Sequence, residues 1–305
     1  MSTRPRRRTA GPRPAPGPPS RRRFLALAGA AVGAACVSGG DESAQGAAGG
    51  RAGRRERIDY GDHEYAFGDL WRPTDAPGPA PVVVLIHGGF WRQRFGLDLM
   101  DGLAGSLARE GYAAWNIEYR RVGGGGGHPE TFDDAAAAVD HVATFDDGVD
   151  TARVAFVGHS AGGQLAAWAA SRGSLPATSP WSDPAVVPSV AVPQAGVLDL
   201  VRCAEEGVGG SSCPDVVGGG PDEVPDRYDA LSPIELLPAG LPVVAVHGDA
   251  DRNVPPTQSE AYVDAATAAG DPAELRVIAG ADHFDMIDPL HEAWNEVLEV
   301  LATRL

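Results

Sequence analysis

Lysine is missing from this 305-residue chain, so all 25 of its basic residues are arginine. No glycine-rich loop with a phosphate-binding lysine is present, which excludes the P-loop nucleotide site. Only three cysteines occur. No two histidines or cysteines show metal-ligand spacing, so no metal site and no cofactor is expected. A membrane-spanning helix needs about 20 apolar residues. The Ala/Gly-rich stretch from Phe24 to Val37 has 14. Positive charge is scarce where a polyanion would bind. Residues 58–305 carry 13 Arg against 38 acids, a net of −25. Such a domain repels nucleic acid and anionic membranes, and the charge keeps it soluble.

The first 57 residues have the opposite character, with 12 Arg against Asp41, Glu42 and Glu56, a net of +9. Ser20-Arg21-Arg22-Arg23-Phe24-Leu25 fits a twin-arginine export signal, and the apolar stretch behind it suits the signal's hydrophobic region. Residues 1–37 are therefore expected to be a signal peptide and 38–57 a Gly/Ala/Ser-rich linker. Cys36 follows Gly33-Ala34-Ala35, an arrangement that resembles a lipoprotein processing site and makes a lipid anchor one outcome. Cleavage near Ala34–Ala35 with free release is the other. The protein is thus expected outside the cytoplasm. There Cys203 and Cys213, close together in a Gly-rich loop, are either a disulfide or two unrelated small core residues.

From residue 58 onward apolar strands alternate with helices. Ile58 to Trp71 alternates polar and apolar residues and reads as an edge hairpin. Val82-Val83-Val84-Leu85-Ile86 is apolar without alternation, as a strand buried on both faces of a parallel sheet would be. Further strands are expected at Tyr112–Ile117, Val154–Val157, Val190–Val192, Val243–Val246 and Glu274–Ile278. Helices are expected at Leu97–Arg109, Thr131–Val142, Leu165–Ala170, Gln258–Ala269 and Met286–Leu305. This order gives crossover units and a mostly parallel sheet with helices on both faces. Asp199–Gly240 breaks the rhythm, with one short helix at Pro233–Leu237, and is placed as a small cap or lid. The five glycines Gly123–Gly127 read as a flexible connection.

The chemistry centres on Gly158-His159-Ser160-Ala161-Gly162. A strand ends just before it and a helix-forming run follows, which is the context of a nucleophile elbow. The glycines remove Cβ atoms that would clash in so tight a turn. A serine nucleophile needs a base, and the base an orienting acid. His283 lies between the last strand and the last helix and is the expected base. His247, at a strand end, is read as structural, and His291 as lying inside the final helix. Asp251, in the loop after the preceding strand, is the expected acid, with Asp249 the competitor. His87-Gly88-Gly89-Phe90-Trp91 follows the first core strand, where a glycine pair can turn amides toward the site. His87 is read as bracing that loop. Phe90 and Trp91 either line the acyl pocket or pack in the core.

These motifs resemble those of the α/β-hydrolase superfamily. The His-Gly-Gly-x-Trp loop is similar to that of the esterase/lipase and kynurenine formamidase-like branch. Asn116-Ile117-Glu118-Tyr119-Arg120-Arg121 and Leu231-Ser232-Pro233 look like that branch and like prolyl oligopeptidase catalytic domains. The resemblance covers roughly Tyr60 to the C-terminus and implies an α/β-hydrolase fold. It implies Ser160 as nucleophile, His283 as base then acid, Asp251 as orienting acid, and Gly89, Phe90 and Ala161 as oxyanion donors. The expected partner is a small ester or amide, and the expected activity a secreted carboxylic ester hydrolase. An arylformamidase is the first alternative, though its usual substrate is an intracellular metabolite. A prolyl oligopeptidase-like peptidase is the second, although only about 25 residues separate the expected start of the domain from the first core strand. A non-catalytic binding protein is the least favoured. Ser160 excludes dehalogenase chemistry, which needs a carboxylate there.

Overall fold

A computed structural model describes residues 53–146 and 148–305. The expected signal peptide and Cys36 lie outside these residues, as does all but the last part of the expected linker.

One eight-stranded sheet organises the described residues, in the order β1-β2-β4-β3-β5-β6-β7-β8. The strands are β1 (Arg54–Asp59), β2 (Phe67–Arg72), β3 (Ala80–Ile86), β4 (Ala113–Ile117), β5 (Val149–His159), β6 (Val190–Gln194), β7 (Val243–Gly248) and β8 (Ala273–Ile278). β1 and β2 form an antiparallel hairpin, and β2 pairs antiparallel with β4. All other pairings are parallel. The domain starts earlier than expected, because β1 begins at Arg54, inside the segment read as linker. The Gly/Ala-rich residues before it and its net positive charge place it with the linker in the sequence. Arg55 and Arg57 pair instead with the buried Asp69 of β2.

The apolar run of β3 is buried on both sides. Val82, Val84 and Ile86 join a core under α2 (Glu130–Asp140) and α3 (Ala161–Ala170). Val83 and Leu85 face the opposite core, under α1 (Asp101–Arg109) and α8 (Glu292–Arg304). Successive side chains point to opposite faces, so a strand with helices on both sides must be apolar throughout. α7 (Thr257–Ala269) completes the helical layers.

The cap between β6 and β7 holds more structure than expected. Three short helices, α4 (Leu200–Glu205), α5 (Ser212–Val217) and α6 (Pro225–Leu231), precede a 3₁₀ turn at Pro233–Leu236. Helices this short carry little periodicity and depend on tertiary contacts. Cys203 of α4 and Cys213 of α5 are joined by a disulfide. The C-terminal helix is shorter than the expected Met286–Leu305. A 3₁₀ turn at Asp285–Ile287 comes first, and α8 starts only at Glu292. His291 is therefore not inside the helix. It caps it, its Nδ1 accepting from the Ala293 N–H at 3.2 Å.

Candidate active site

Four parallel strands, β3, β5, β7 and β8, deliver their following loops to the carboxyl edge of the sheet, where ligand sites of such sheets lie. Ser160 stands between the end of β5 and the start of α3, at φ 56° and ψ −119°. A side-chain-bearing residue adopts that conformation only under constraint. The constraint is close backbone packing. A Cβ on Gly158 would strike the Gly162 carbonyl, and one on Gly162 the Ile86 carbonyl. Ser160 is 1% exposed and caps α3, whose first N–H groups have no partner within the helix.

His283 and Asp251 meet at this edge. Asp251 Oδ2 accepts a 2.6 Å hydrogen bond from His283 Nδ1, while its Oδ1 accepts from the Asn253 and Val254 N–H groups. Asp249 is directed elsewhere and accepts from the Gly280 N–H at 2.6 Å. Burial alone would raise the Asp251 carboxyl. Hydrogen bonds from His247 and His283, with the charge of His283, hold it well below the usual carboxylate range. His247, read as structural, therefore has a definite position. Its Nε2 lies 3.1 Å from the Val254 carbonyl and 3.3 Å from Asp251 Oδ2, and its Nδ1 lies 2.8 Å from Ser259 Oγ.

The loop after β3 contributes backbone. Gly89, Phe90 and Trp91 all have positive φ, at 111°, 53° and 53°. The turn closes through Arg92 N–H to the Gly89 carbonyl at 3.0 Å. Among the described residues, the N–H groups of Gly89 and Phe90 have no hydrogen-bond partner. Gly88 lies against the elbow, where a Cβ would meet the His159 carbonyl at 2.7 Å. His87 braces the loop, its Nε2 2.9 Å from Glu118 Oε1 and its ring stacked on Tyr119. Phe90 and Trp91, adjacent in the sequence, separate. Phe90 lines the cavity beside Ser160. Trp91 does not line it. It is fully buried and donates from Nε1 to Gln164 Oε1 at 3.1 Å. Two adjacent left-handed residues swing the backbone so that consecutive side chains diverge.

That cavity, about 220 Å³, contains Ser160 and His283 between apolar walls of Phe90, Phe95, Leu99, Phe284 and Ile287. The structure also adds residues the motifs had not singled out. His159, inside the elbow, donates from Nε2 to the His283 carbonyl at 2.9 Å and packs its ring on that of His283. Burial, followed by the neighbouring His283, lowers its pKa to about 3, so the ring is neutral. Glu118 accepts from the N–H groups of Leu97 and Tyr119 and pairs with Arg121. Only the position of His159 within the elbow, and of Glu118 within Asn116–Arg121, marked them in the sequence.

The BD-FAE family profile matches residues 69–265. The chain belongs to the BD-FAE family. Its sequence relatives include a probable isoprenylcysteine alpha-carbonyl methylesterase of Oryza sativa subsp. japonica, 28% identical over 268 residues, covering 81% of this chain and 61% of that protein. Esterase LipC of Mycobacterium tuberculosis is 28% identical over 258 residues, covering 77% of this chain and 60% of that protein. The chain thus spans about three fifths of the length of these relatives. Among solved structures, esterase B from Lactobacillus Rhamnosis is similar with a TM-score of 0.72 at 20% identity, covering 83% of this chain and 85% of that one. A truncated carbohydrate esterase from gut microbiota gives 0.71 at 20% identity, covering 81% and 94%. These likenesses are of fold: this BD-FAE chain has the α/β-hydrolase fold.

Proposed function

We propose that this BD-FAE member is a carboxylic ester hydrolase working through Ser160, His283 and Asp251. The observation that carries the reading is the Asp251–His283 pair at 2.6 Å, with His283 and Ser160 opening into one cavity. Ser160 Oγ attacks the ester carbonyl while His283 Nε2 takes its proton. The N–H groups of Ala161, Gly89 and Phe90 hold the resulting oxyanion, each worth about 3–4 kcal/mol in the transition state. His283 then returns the proton to the departing alcohol, leaving an acyl-Ser160 ester. Water attacks that ester, His283 accepts its proton, and the acid leaves as Ser160 regains its hydrogen. Asp251 stays ionised and keeps the Nε2 of His283 free for these transfers. The esterase names of the sequence relatives support an ester over an amide.

The full-length protein is expected to hydrolyse p-nitrophenyl esters, to turn over N-formyl-kynurenine and an Ala-Pro anilide poorly, and to be labelled at Ser160 by a fluorophosphonate. Ser160→Ala should remove labelling and lower kcat by about four or more orders of magnitude. Preference for the formamide or the anilide would replace this reading with the corresponding amidase, and no labelling with no turnover would sink it. We also propose export. The Cys203–Cys213 disulfide supports an oxidising compartment, as does the arginine pair near the N-terminus. Arg21→Lys with Arg22→Lys should retain the protein in the cytoplasm on fractionation. Mass analysis at Cys36 separates a lipid-anchored form from a released one.

A further inference from the structure

Among the described residues, the cavity beside Ser160 has apolar walls and a single arginine, Arg94. Arginines elsewhere in the domain are mostly paired, even in exposed places such as Arg153 with Asp150 and Arg276 with Glu274. Arg92, two residues before Arg94 and on the same loop, is tied to Asp215 and Ser211. Among the described residues Arg94 has no carboxylate within ion-pair distance, although acids outnumber arginines almost threefold from residue 58 on. Its guanidinium lies over the ring of Phe95, 4.8 Å from the centroid, and Phe95 is itself a cavity wall. The acids of the nearby His283 loop are engaged. Asp282 accepts from the Phe284 and Asp285 N–H groups, and Asp285 accepts from Asp282 N–H. The cavity edge thus presents an unpaired cation, steadied on an aromatic face.

We propose that Arg94 binds an anionic group of the substrate, and that the preferred esters carry a carboxylate a few bonds from the scissile carbonyl. This rests on the ester-hydrolase reading above. A guanidinium matches a carboxylate with two parallel charge-assisted hydrogen bonds. The apolar walls hold the hydrocarbon between the two ends. The net charge of the domain does not forbid such a ligand, because charges beyond about 8–10 Å are screened while a contact pair is not.

The test compares mono-p-nitrophenyl adipate with p-nitrophenyl hexanoate, which share a six-carbon acyl chain and differ in the terminal carboxylate. The readout is the ratio of kcat/KM for the two esters in the full-length wild type, Arg94→Gln, Arg94→Lys and Arg252→Gln. Arg252 serves as control, since it lines a neighbouring cavity with His283 but not the one beside Ser160, and has no ion pair among the described residues. Arg94→Gln is expected to lower the ratio about tenfold, mainly through KM for the adipate ester. Arg94→Lys should restore most of it, and high salt should shrink the wild-type ratio. An unchanged ratio in Arg94→Gln, with both esters turned over, overturns this inference alone. A fall in Arg252→Gln instead of Arg94→Gln overturns it as well. Absence of turnover of both esters by the wild type overturns the hydrolase reading together with it.

Discussion

Asp251 and Asp249 lie two residues apart in one loop, yet only Asp251 reaches His283. Asp251→Asn is expected to lower kcat by about three to four orders of magnitude with little change in KM, because an amide favours the wrong imidazole tautomer. Asp249→Asn should stay within a few-fold of wild type. Stopped-time ester assays of the two variants decide the assignment, and equal losses would contradict it. His159 makes a different prediction. Its folded pKa, about 3, lies below its ordinary value of 6.5, so below pH 6.5 the unfolded chain binds a proton that the folded chain refuses. Stability should fall as pH drops through that window, by at most about 1.4 kcal/mol per pH unit from this residue. His159→Asn should flatten the fall in Tm between pH 6.5 and 4.5. A slope unchanged from wild type would show that the ring is not the group responsible.

At the scale of elements, the loop after β3 is held from beneath by the residues following β4. Glu118 takes hydrogen bonds from His87 at the start of that loop and from Leu97 at its end. The Tyr119 hydroxyl donates to the His87 carbonyl at 2.8 Å. Burial would raise the Glu118 carboxyl, but the bonds from His87 and the nearby charges of His87 and Arg121 bring it below its ordinary value. Its stabilising effect is therefore complete above the ordinary glutamate range and lost as pH falls below it. Glu118→Gln leaves Arg121 without its buried partner, which costs about 3–5 kcal/mol. The Tm of this variant should be well below wild type at pH 7, the gap should narrow as pH falls below the ordinary glutamate range, and kcat should be reduced through the displaced amides. A full-activity variant with unchanged Tm would refute the bracing role. α3 carries a second link, since Gln164 joins Trp91 to the Leu231 carbonyl and Trp168 donates to the Ala230 carbonyl. The elbow helix, the loop after β3 and the cap are thereby one hydrogen-bonded assembly.

For the whole molecule, the Cys203–Cys213 disulfide bears on the cap rather than on the sheet. It closes a loop of ten residues' separation, and Gly209 within that loop packs against Phe90, the cavity wall. Replacing both cysteines by alanine should cost about 2–3 kcal/mol. That is about 5–10 °C in Tm for a domain of this size, and ester KM should rise more than kcat falls. A calorimetric Tm equal to wild type would contradict this. The sheet and its order of strands and helices were legible in the sequence, because burial on two faces forces uninterrupted apolar strands such as Val82–Ile86. The elbow was legible too, because only glycine fits where backbone carbonyls approach within contact of a Cβ. The cap helices were not, since each is too short for a periodic signal, although Asp199 does cap α4 by accepting from Arg202 N–H. The parting of Phe90 from Trp91 was equally out of reach, as was the lack of an ion pair at Arg94 among the described residues. The kinds of residue at the carboxyl edge and their order follow from the chain alone, because spacing along it encodes strands, turns and helices. Which of them face one another is settled by folding, because contacts such as His283 with Asp251 join separate loops and are set by how the sheet twists and packs.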